Sequence, residues 1–375
     1  MKQVLLSLCI LVGQGHTAIS SEVDKLFAHE GRVPLIHIDV DKDAVESLKR
    51  ESRKNVSCKV TMGDRSWSNV AIHIKGGRGS LQPWDGIPGL TLSFNAFEPG
   101  QLFLGELEKI HLNNEVQDPR YMNEILASEL FQSANVPCAR ATHVIVELNE
   151  RKMGVYVMVE GFDRQFLKRN FHNSNGNLYD CEFCREIDEQ LKRSHGSADV
   201  DDHSDLKALV AACRQTEPNE RYSKVGQLCD LDRFMTMMAL EVVMWDWDGY
   251  CLNRNNYRVY HDSKTGKFVF MPHGMDQMWQ YSSGTIYPEW KGLVARRLMQ
   301  TNEGKEAYRK KLHEVMDKYY KTAEFECKID LLVARLKPAL EPVNKDAMRR
   351  IVIQNERFKS IIEKREENIR EQIKP

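Results

Sequence analysis

The sequence lacks a surplus of charge of either sign and, after its first residues, any long hydrophobic run. Its 375 residues contain 53 Lys and Arg against 54 Asp and Glu, a net charge of −1. Proteins that bind nucleic acid usually carry a basic surplus, so this balance disfavours nucleic acid as a partner and gives a membrane-surface role no support. No segment after residue 18 is apolar for long enough to form a membrane-spanning helix. The hydrophobic content of 42% instead predicts a packed globular core.

The first residues have the pattern of a secretory signal peptide. Lys2 supplies the positive charge, Val4–Val12 is largely apolar, and small residues follow up to Ala18. We therefore expect residues 1–18 to be a signal peptide that is cleaved before Ile19. The mature protein would then be secreted, periplasmic or located on the cell surface. A buried N-terminal strand or helix is the alternative interpretation.

The chain contains cysteines, but only Cys181 and Cys184 form a C-x-x-C motif. Eight cysteines follow the predicted signal peptide, and this even number permits disulfides in an exported chain. Cys181 and Cys184 form a C-x-x-C with no second copy, so a four-cysteine zinc site is not expected. A local disulfide, half of a zinc site and two unrelated thiols all remain open for this pair.

Strand patterns dominate the first part of the chain and helix patterns the second. Several segments before residue 160 alternate apolar and polar residues with period two, which is typical of half-buried strands. These segments are Leu35–Val40, Cys58–Met62, Asn69–Lys75, Leu90–Phe94, Lys109–Leu112, Thr142–Leu148 and Gly154–Glu160. Helical periodicity prevails later, mainly in Leu231–Val243, Lys305–Lys321 and Asp346–Ile373. The sequence therefore predicts an α+β fold in which residues 19–160 form a strand-rich lobe, 161–345 a helical lobe and 346–375 a C-terminal helix.

Two charged segments are expected at the surface. Asp188–Ser204 is polar and rich in His and Ser, so we predict a surface loop there. The run Lys364–Glu371 within the last helix is predicted to be a solvated helix face.

Acidic and amide residues flank a predicted β-hairpin inside the helical part. Asp248 and Asn253 precede the strand Tyr257–Tyr260, and Asp276 follows the returning strand Lys267–Met271. Carboxylate and amide oxygens at the two ends of a rigid hairpin can hold a hard divalent cation such as magnesium. Such a cation normally accompanies phosphates.

The spacing of the two residues that begin this segment favours phosphoryl transfer. Asp248 and Asn253 are separated as in the D-x-x-x-x-N of kinase catalytic loops, where the Asp accepts the proton of the substrate hydroxyl. We predict Asp248 as the base and Asp276 as a metal ligand, with Asp246 as a second-choice ligand. A strand-rich first lobe followed by a helical lobe that carries such a hairpin is the layout of a two-lobed, atypical protein-kinase-like fold.

Taken in order, several short segments resemble the CotH kinase family, the spore-coat-protein H group of atypical secreted protein kinases. The resemblance covers roughly residues 72–279. The matching segments are Ile74–Ser80, Leu112–Asn114, Asp118–Pro119, Val136–Arg140, Leu148–Asn149, Gly154–Tyr156, Val159–Asp163, Gly176–Tyr179, Asp248–Tyr260 and Pro272–Asp276.

The resemblance implies a set of ligands and roles. It implies ATP with Mg²⁺ or Mn²⁺, and transfer of the γ-phosphoryl group to Ser or Thr of an exported, Ser-rich protein. By position, Asp248 would lie in the catalytic site. Asn253, Asn256 and Asp276 would be metal ligands, and Lys75, Arg78 and Glu160 would lie at the nucleotide.

The chain departs from the family pattern at two places. The family usually ends its hairpin with a Pro-Trp-Asp-x-Asp type of sequence, whereas Gly274 replaces the first acid here. Many members also have a Lys shortly before the strand that is Leu90–Phe94 in this chain, where Ile87, Pro88 and Gly89 occur instead. These departures leave three hypotheses open: an active exported kinase, a weakly active or inactive kinase-like protein of a surface or coat assembly, and a metal-dependent hydrolase that uses Asp248 and Asp276.

Overall fold

The structure is a computed structural model that describes residues 20–196, 202–342 and 344–374. The predicted signal peptide, residues 1–18, lies outside the described residues. Within the described ranges, no helix combines the length and apolar character needed to cross a membrane.

The first part of the described chain consists mainly of strands. Its elements in chain order are α1 (Glu22–Phe27), β1 (Leu35–Asp39), α2 (Lys42–Arg50), β2 (Val56–Met62), β3 (Arg65–Lys75), β4 (Gly89–Ser93), β5 (Lys109–Asn113), α3 (Asn123–Ser133), β6 (Ala141–Leu148) and β7 (Arg151–Glu160). The seven strands form a closed barrel in the order β1-β2-β3-β4-β5-β7-β6. Neighbouring strands are antiparallel except β1 and β6, which close the barrel in parallel with Leu35 opposite Ile145.

Alternation along the barrel strands separates two environments. Ile72 and Ile74 of β3 belong to the apolar core inside the barrel. His73 and Lys75 alternate with these two residues along β3, so their side chains project to the opposite face, where they line a cleft. In register beside His73 lies Thr91 of β4, which lines the same cleft. The period-two pattern therefore places polar side chains outside the barrel, where the second part of the chain faces it.

The second part of the chain is mainly helical but contains a second sheet. Its elements are α4 (Arg164–Asn170), β8 (Asn177–Asp180), β9 (Lys192–His195), α5 (Ser204–Cys213), α6 (Pro218–Leu228), α7 (Leu231–Met244), α8 (Tyr250–Asn253), β10 (Tyr257–Asp262), β11 (Lys267–Pro272), α9 (Leu293–Leu298), α10 (Asn302–Lys318), α11 (Thr322–Leu340) and α12 (Lys345–Gln372). The sheet order is β11-β10-β8-β9. The predicted hairpin is therefore present as β10 and β11.

The α+β prediction, with strands mainly before residue 161 and helices mainly after it, is confirmed in these coarse terms. The closure of the first sheet into a barrel was not predicted. The prediction of a surface loop over Asp188–Ser204 was wrong for its described residues, because β9 lies among them and pairs with β8. Residues 197–201 of this segment lie outside the described residues.

The helical part packs around α7, in which Phe234 and nearly every residue after it are buried. This core also includes α3 and the outer side of β7, where Val155, Val157 and Val159 belong to it. The alternate residues Tyr156 and Met158 belong to the barrel core. Strand β7 therefore contributes one face to each of the two apolar cores and joins them.

One residue of the last helix contradicts the prediction of a solvated charged face. Arg365, inside the run Lys364–Glu371, is 0% exposed. Its guanidinium donates hydrogen bonds to main-chain carbonyls at the end of α7, at 2.6 Å to Val242 O and 3.1 Å to Val243 O. The prediction failed because a charged side chain can replace water with carbonyl acceptors when a helix end offers them.

All eight cysteines of the described residues are free thiols. Cys181 is buried and Cys184 is half-buried, and the two form no disulfide. Among the described residues, no group of three or more His, Cys, Asp or Glu side chains is arranged to hold a metal ion by itself.

His143 gives a test of how the core responds to pH. The residue is fully buried, its Nε2 lies 2.6 Å from Tyr121 O, and its Nδ1 has no hydrogen-bond partner among the described residues. Burial lowers the pKa of His143 to about 3. In the unfolded chain this His binds a proton below about pH 6.5, whereas in the folded chain it does so only below about pH 3. The stability that depends on the neutral ring therefore decreases as the pH falls from about 6.5 toward 3.

Replacing His143→Gln keeps an N–H donor but removes the titrating ring. When the pH is lowered from 8 to 5.5, we expect the unfolding free energy of the parent to fall by about 1.4 kcal/mol more than that of the variant. Urea denaturation at both pH values measures this difference, and His172→Gln, at an exposed position, is the control. A difference that does not change with pH would contradict the interpretation.

Candidate active site

A cleft of about 720 Å³ lies between the outer face of the barrel and the hairpin β10–β11. The barrel contributes residues of β3, β4 and β5, and the helical part contributes the loop before β10 and the segment after β11. The cleft brings together five of the seven predicted site residues: Lys75, Arg78, Asp248, Asn256 and Asp276. Residues far apart in the sequence thus meet in one cavity.

A glycine-rich loop covers one side of the cleft. Gly76 has φ +133°, and a Cβ atom there would lie 2.7 Å from Leu81 Cα, so only glycine fits. Within the loop, the Gly77 N–H donates to Ser80 Oγ at 2.9 Å and the Leu81 N–H donates to Gly77 O at 2.9 Å. Arg78 is exposed at the tip of this compact turn and faces the cleft.

Lys75 is the last residue of β3 and lies at the base of this loop. Its ammonium donates to Asn113 Oδ1 of β5. Burial lowers the pKa of Lys75, and the carboxylates of Glu124, Asp276 and Glu115 oppose that shift. The lysine is therefore a fixed positive charge surrounded by acids, in a position to meet an anionic ligand.

Glu124 is a buried acid close enough to Lys75 to influence its pKa, and the sequence analysis missed it. It lies in the first turn of α3, is 1% exposed and accepts the Met275 N–H at 2.7 Å. Burial, together with the charge of Asp276, raises the pKa of Glu124 to about 7. No helical face distinguishes this acid in the sequence, because nearly every residue of α3 is buried.

Asp248 is held by three amide side chains. Its Oδ1 accepts from Asn253 at 2.7 Å, and its Oδ2 accepts from Asn255 at 3.1 Å and from Asn256 at 2.9 Å. The oxygen of Asn255 accepts the Cys184 N–H at 3.1 Å, which fixes the direction of that amide. Asn253 does not line the cleft, so in this structure it orients Asp248 and does not face a ligand. The contact of Asn255 with Asp248 was not predicted.

The second-choice ligand Asp246 lies beneath this loop and outside the cleft. It is 3% exposed, and burial with the nearby charge of Glu241 raises its pKa well above the ordinary value. A Cβ atom at Gly249 would lie 2.5 Å from Asp246 Oδ2, so the loop packs directly on the carboxylate. Asp246 therefore supports the loop that carries Asp248.

The segment after β11 explains why glycine replaces an acid at position 274. Gly274 has φ +60°, and a Cβ atom there would lie 2.8 Å from Asn256 Oδ1. The amide oxygen of Asn256 thus occupies the space where a side chain would begin. The His273 N–H donates to Asn256 O at 2.9 Å and keeps the two segments together.

Asp276 lies on the same segment and faces the cleft. Its main-chain carbonyl accepts from the Asn123 side chain at 2.7 Å, which ties the segment to α3. Burial raises the pKa of Asp276 to about 6, and the positive charge of Lys75 opposes this shift. Asp276, Asn256 and Asp248 together offer oxygen atoms from three positions around one space.

Glu160 is the one predicted nucleotide-binding residue that the structure does not bring to the cleft. It is 1% exposed, and its carboxylate forms ion pairs with Arg140 at 3.2 Å and with Arg169. In the register of β5 and β7, Glu160 lies opposite Ile110, which belongs to the barrel core, whereas the cleft-lining His111 lies opposite Val159. Alternation therefore turns Glu160 away from the cleft.

The structure thus places a cleft with a lysine, a glycine-rich loop and two aspartates between a strand-built barrel and a helical part. Comparison with known sequences supports a narrower assignment. Residues 89–350 match the family model described as CotH kinase protein, so the chain belongs to the CotH kinase family.

Three curated relatives are similar to the chain. Inner spore coat protein H of Bacillus subtilis is 22% identical over 276 residues, which are 68% of this chain and 75% of that protein. Invasin CotH3 of Rhizopus delemar is 24% identical over 202 residues, covering 49% of this chain but 34% of the relative. Spore coat protein homolog 1 of the same fungus is 21% identical over 253 residues, which are 61% of this chain and 41% of that protein.

Among solved structures, the crystal structure of the Helicobacter pylori proinflammatory kinase CtkA is similar at 10% identity and a TM-score of 0.35. The match covers 76% of this chain and 92% of that chain.

Proposed function

We propose that this protein is an exported, ATP-dependent protein kinase that transfers the γ-phosphoryl group to Ser or Thr of secreted or coat proteins. The observation that carries the proposal is the meeting of Lys75, Asp248 and Asp276 in one cleft beneath a glycine-rich loop. Phosphoryl transfer depends mainly on positioning and charge neutralisation, and these residues offer both.

The residues of the cleft fit a nucleotide with a divalent cation. Mg²⁺ is usually held by one or two carboxylates together with substrate phosphates and water, and not by a complete protein cage. Asp276 and the amide oxygen of Asn256, which fills the space beside Gly274, would hold Mg²⁺ or Mn²⁺. Bound there, the cation would neutralise charge on the β- and γ-phosphates. This agrees with the absence of any three-residue metal cluster among the described residues.

The protein groups would divide the remaining work. Lys75 would contact the phosphates, with Glu124 and Asn113 keeping its ammonium in place. Asp248, fixed by its three amide donors, would accept the proton of the acceptor hydroxyl. Arg78, exposed on the glycine-rich loop, would add a second positive charge at the cleft entrance.

An extracellular or coat location is part of the proposal. It rests on the signal-like pattern of residues 1–18 and on the similarity to two relatives, a spore coat protein and an invasin.

A weakly active or inactive kinase-like assembly protein is the second candidate. The observation that favours it is Gly274, which leaves the segment after β11 with one acid, Asp276, where the resemblance implies two. The hydrolase hypothesis, which would use Asp248 and Asp276, ranks last, because zinc and two-metal hydrolases usually bind their metals through His-rich ligand sets.

Titration of the purified protein with ATP, in the presence of Mn²⁺ or Mg²⁺, tests the nucleotide site. We expect Lys75→Met to weaken ATP affinity by about tenfold or more, or about 1.4 kcal/mol, because a fixed charge at the phosphates is lost. Arg78→Ala should cost about fivefold or less, because an exposed charge is screened by solvent. Isothermal titration calorimetry measures both constants.

Lys54→Met is the matched control, because Lys54 is an exposed lysine that does not line the cleft. It should bind ATP as the parent does. If Lys75→Met binds ATP as tightly as Lys54→Met, the lysine has a structural role and the nucleotide site lies elsewhere.

A further inference from the structure

Glu115 is a buried acid at the edge of the cleft. It is 3% exposed, yet both carboxylate oxygens are buried without a hydrogen-bond partner in the part of the chain that the structure describes. The residue lines the cleft that holds Lys75 and Asp276. A buried carboxylate that makes no hydrogen bond is costly, so its retention calls for a ligand or a function.

The backbone on both sides of Glu115 is fixed. Glu115 has φ +52°, a left-handed conformation that is uncommon outside glycine and asparagine. Before it, the Asn114 side chain donates to Ser80 O at 3.2 Å and to Ile87 O at 2.7 Å. After it, the Asp118 N–H donates to Glu115 O at 3.1 Å. The acid is therefore presented by a rigid turn between the glycine-rich loop and α3.

Asp118 is not available as a neighbouring ligand. Its Oδ2 accepts the N–H groups of Met122 and Asn123, each at 2.8 Å, and its Oδ1 accepts the Arg120 guanidinium at 2.8 Å. This carboxylate therefore holds the start of α3. Glu115, a few residues before it on the same loop, has no such structural task.

The surroundings of Glu115 select a cation as its ligand. Burial, together with the nearby carboxylates of Asp118, Asp276 and Glu124, raises the pKa of Glu115 well above its ordinary value, and the positive charge of Lys75 opposes this shift. The Lys75 ammonium donates to Asn113 instead. A neutral hydroxyl donor would leave the surplus of negative charge in place, whereas a divalent cation would remove it.

We propose that Glu115 is a further ligand of the divalent cation that accompanies the nucleotide. It would supply, from the barrel side of the cleft, the carboxylate that the segment after β11 lacks at Gly274. The inference rests on the proposed function, because the described residues hold no complete metal cluster and the cation must also contact phosphate oxygens.

The test compares ATP binding with and without metal in Glu115→Gln. We expect the affinity for ATP in the presence of Mn²⁺ to fall about tenfold or more, as when a metal site loses part of its support. The affinity for ATP in EDTA should stay the same or increase, because a negative charge near the phosphates is removed. Calorimetry provides both affinities without an activity assay. Glu115→Asn, which tolerates the left-handed backbone better, replaces the Gln variant if that variant does not fold.

Glu182→Gln is the control, because Glu182 is an exposed acid at the same cleft that pairs with Arg185 at 3.0 Å. It should leave both affinities within about twofold of the parent. Equal losses with and without Mn²⁺ in Glu115→Gln, or no loss at all, would overturn the inference while the proposed function stands. Failure of the parent to bind ATP with or without Mn²⁺ would overturn the proposed function and this inference with it.

Discussion

Asp248→Asn and Asp276→Asn are each expected to reduce γ-phosphoryl transfer by a factor of about 10² to 10⁴. Asp248→Asn removes the only strong proton acceptor of the loop before β10 that faces the cleft. Asp276→Asn removes the charged oxygen that would hold the cation against the phosphates. The assay is transfer of labelled γ-phosphate from ATP to a Ser-rich acceptor, with Mn²⁺ and Mg²⁺ compared.

The two aspartates should act as one unit. Neither a cation without a base nor a base without a neutralised phosphate supports transfer, so the double variant should lose little more than either single variant. Additive losses would instead show two independent contributions. The two variants should also differ in binding: Asp276→Asn should weaken ATP affinity only when metal is present, and Asp248→Asn should change it little.

The two substitutions differ in their structural consequences. Asp248 accepts from three amide groups, and an Asn in its place turns one of its own donors toward them. The Asn255 amide cannot rotate to compensate without losing its contact with Cys184 N–H. Asp276→Asn should therefore disturb the local structure less than Asp248→Asn. Thermal unfolding of both variants must accompany the assay.

Glu182→Gln again serves as the matched control, since it removes a cleft acid that is exposed and paired with Arg185. Parent activity that survives in Asp276→Asn would reject the assignment of the site. A parent that binds ATP and transfers phosphate to no acceptor would support the inactive, kinase-like alternative.

The strands of the barrel were predictable because one of their faces is apolar. The alternation in Asn69–Lys75 and Leu90–Phe94 corresponds to β3 and β4, with Ile72 and Leu92 inside the barrel. The closure itself was not predictable, because it depends on the parallel pairing of β1 with β6. Such a pairing joins distant segments and leaves no local pattern.

The elements that were missed have weak or contradictory local signals. Strand β9 has no apolar alternation, since Lys192–His195 is polar throughout and pairs at the edge of its sheet. In α11 the buried residues Phe325, Ile329 and Leu332 have helical spacing, but Pro338 lies within the same helix. Tertiary packing overrides the usual meaning of that proline.

The site was predictable where the chemistry is concentrated in one segment. Asp248, Asn256 and Asp276 lie around one hairpin, and all three line the cleft. Glu115 lies in a loop and Glu124 in helix α3, and tertiary packing brings both of them toward the hairpin. Glu160 was assigned by resemblance and not by its place on β7, where alternation turns it toward Arg140.

Arg365→Met is expected to destabilise the protein by about 2–4 kcal/mol. Arg365 is fully buried, and no carboxylate among the described residues pairs with it. It donates to Val242 O, Val243 O and Gly284 O, and its guanidinium lies 5.2 Å from the ring of Trp245. Burial lowers its pKa to about 10.

The cost has a specific origin at the end of α7. Helix α7 ends at Met244, so no N–H group of the helix donates to the carbonyl of Val243. This carbonyl accepts a hydrogen bond from the Arg365 guanidinium instead. The Trp245 N–H also donates to Val242 O, and the Gln372 amide also donates to Gly284 O, so these two carbonyls keep a partner in the variant. Val243 O would be left buried without a donor, and the contact of the guanidinium with Trp245 would be lost.

Loss of the Arg365 guanidinium would also affect the cleft, because Trp245 begins the segment that leads to Asp248. Trp245 has φ +53° and ends α7, and Arg365 is the group that ties this turn to α12. Urea denaturation measures the loss, and Lys364→Met, at the exposed neighbouring position, is the control that should change stability by about 0.5 kcal/mol or less. A loss below about 1 kcal/mol in Arg365→Met would mean that water replaces the guanidinium at the carbonyls. In that case α12 would not determine the position of the catalytic segment.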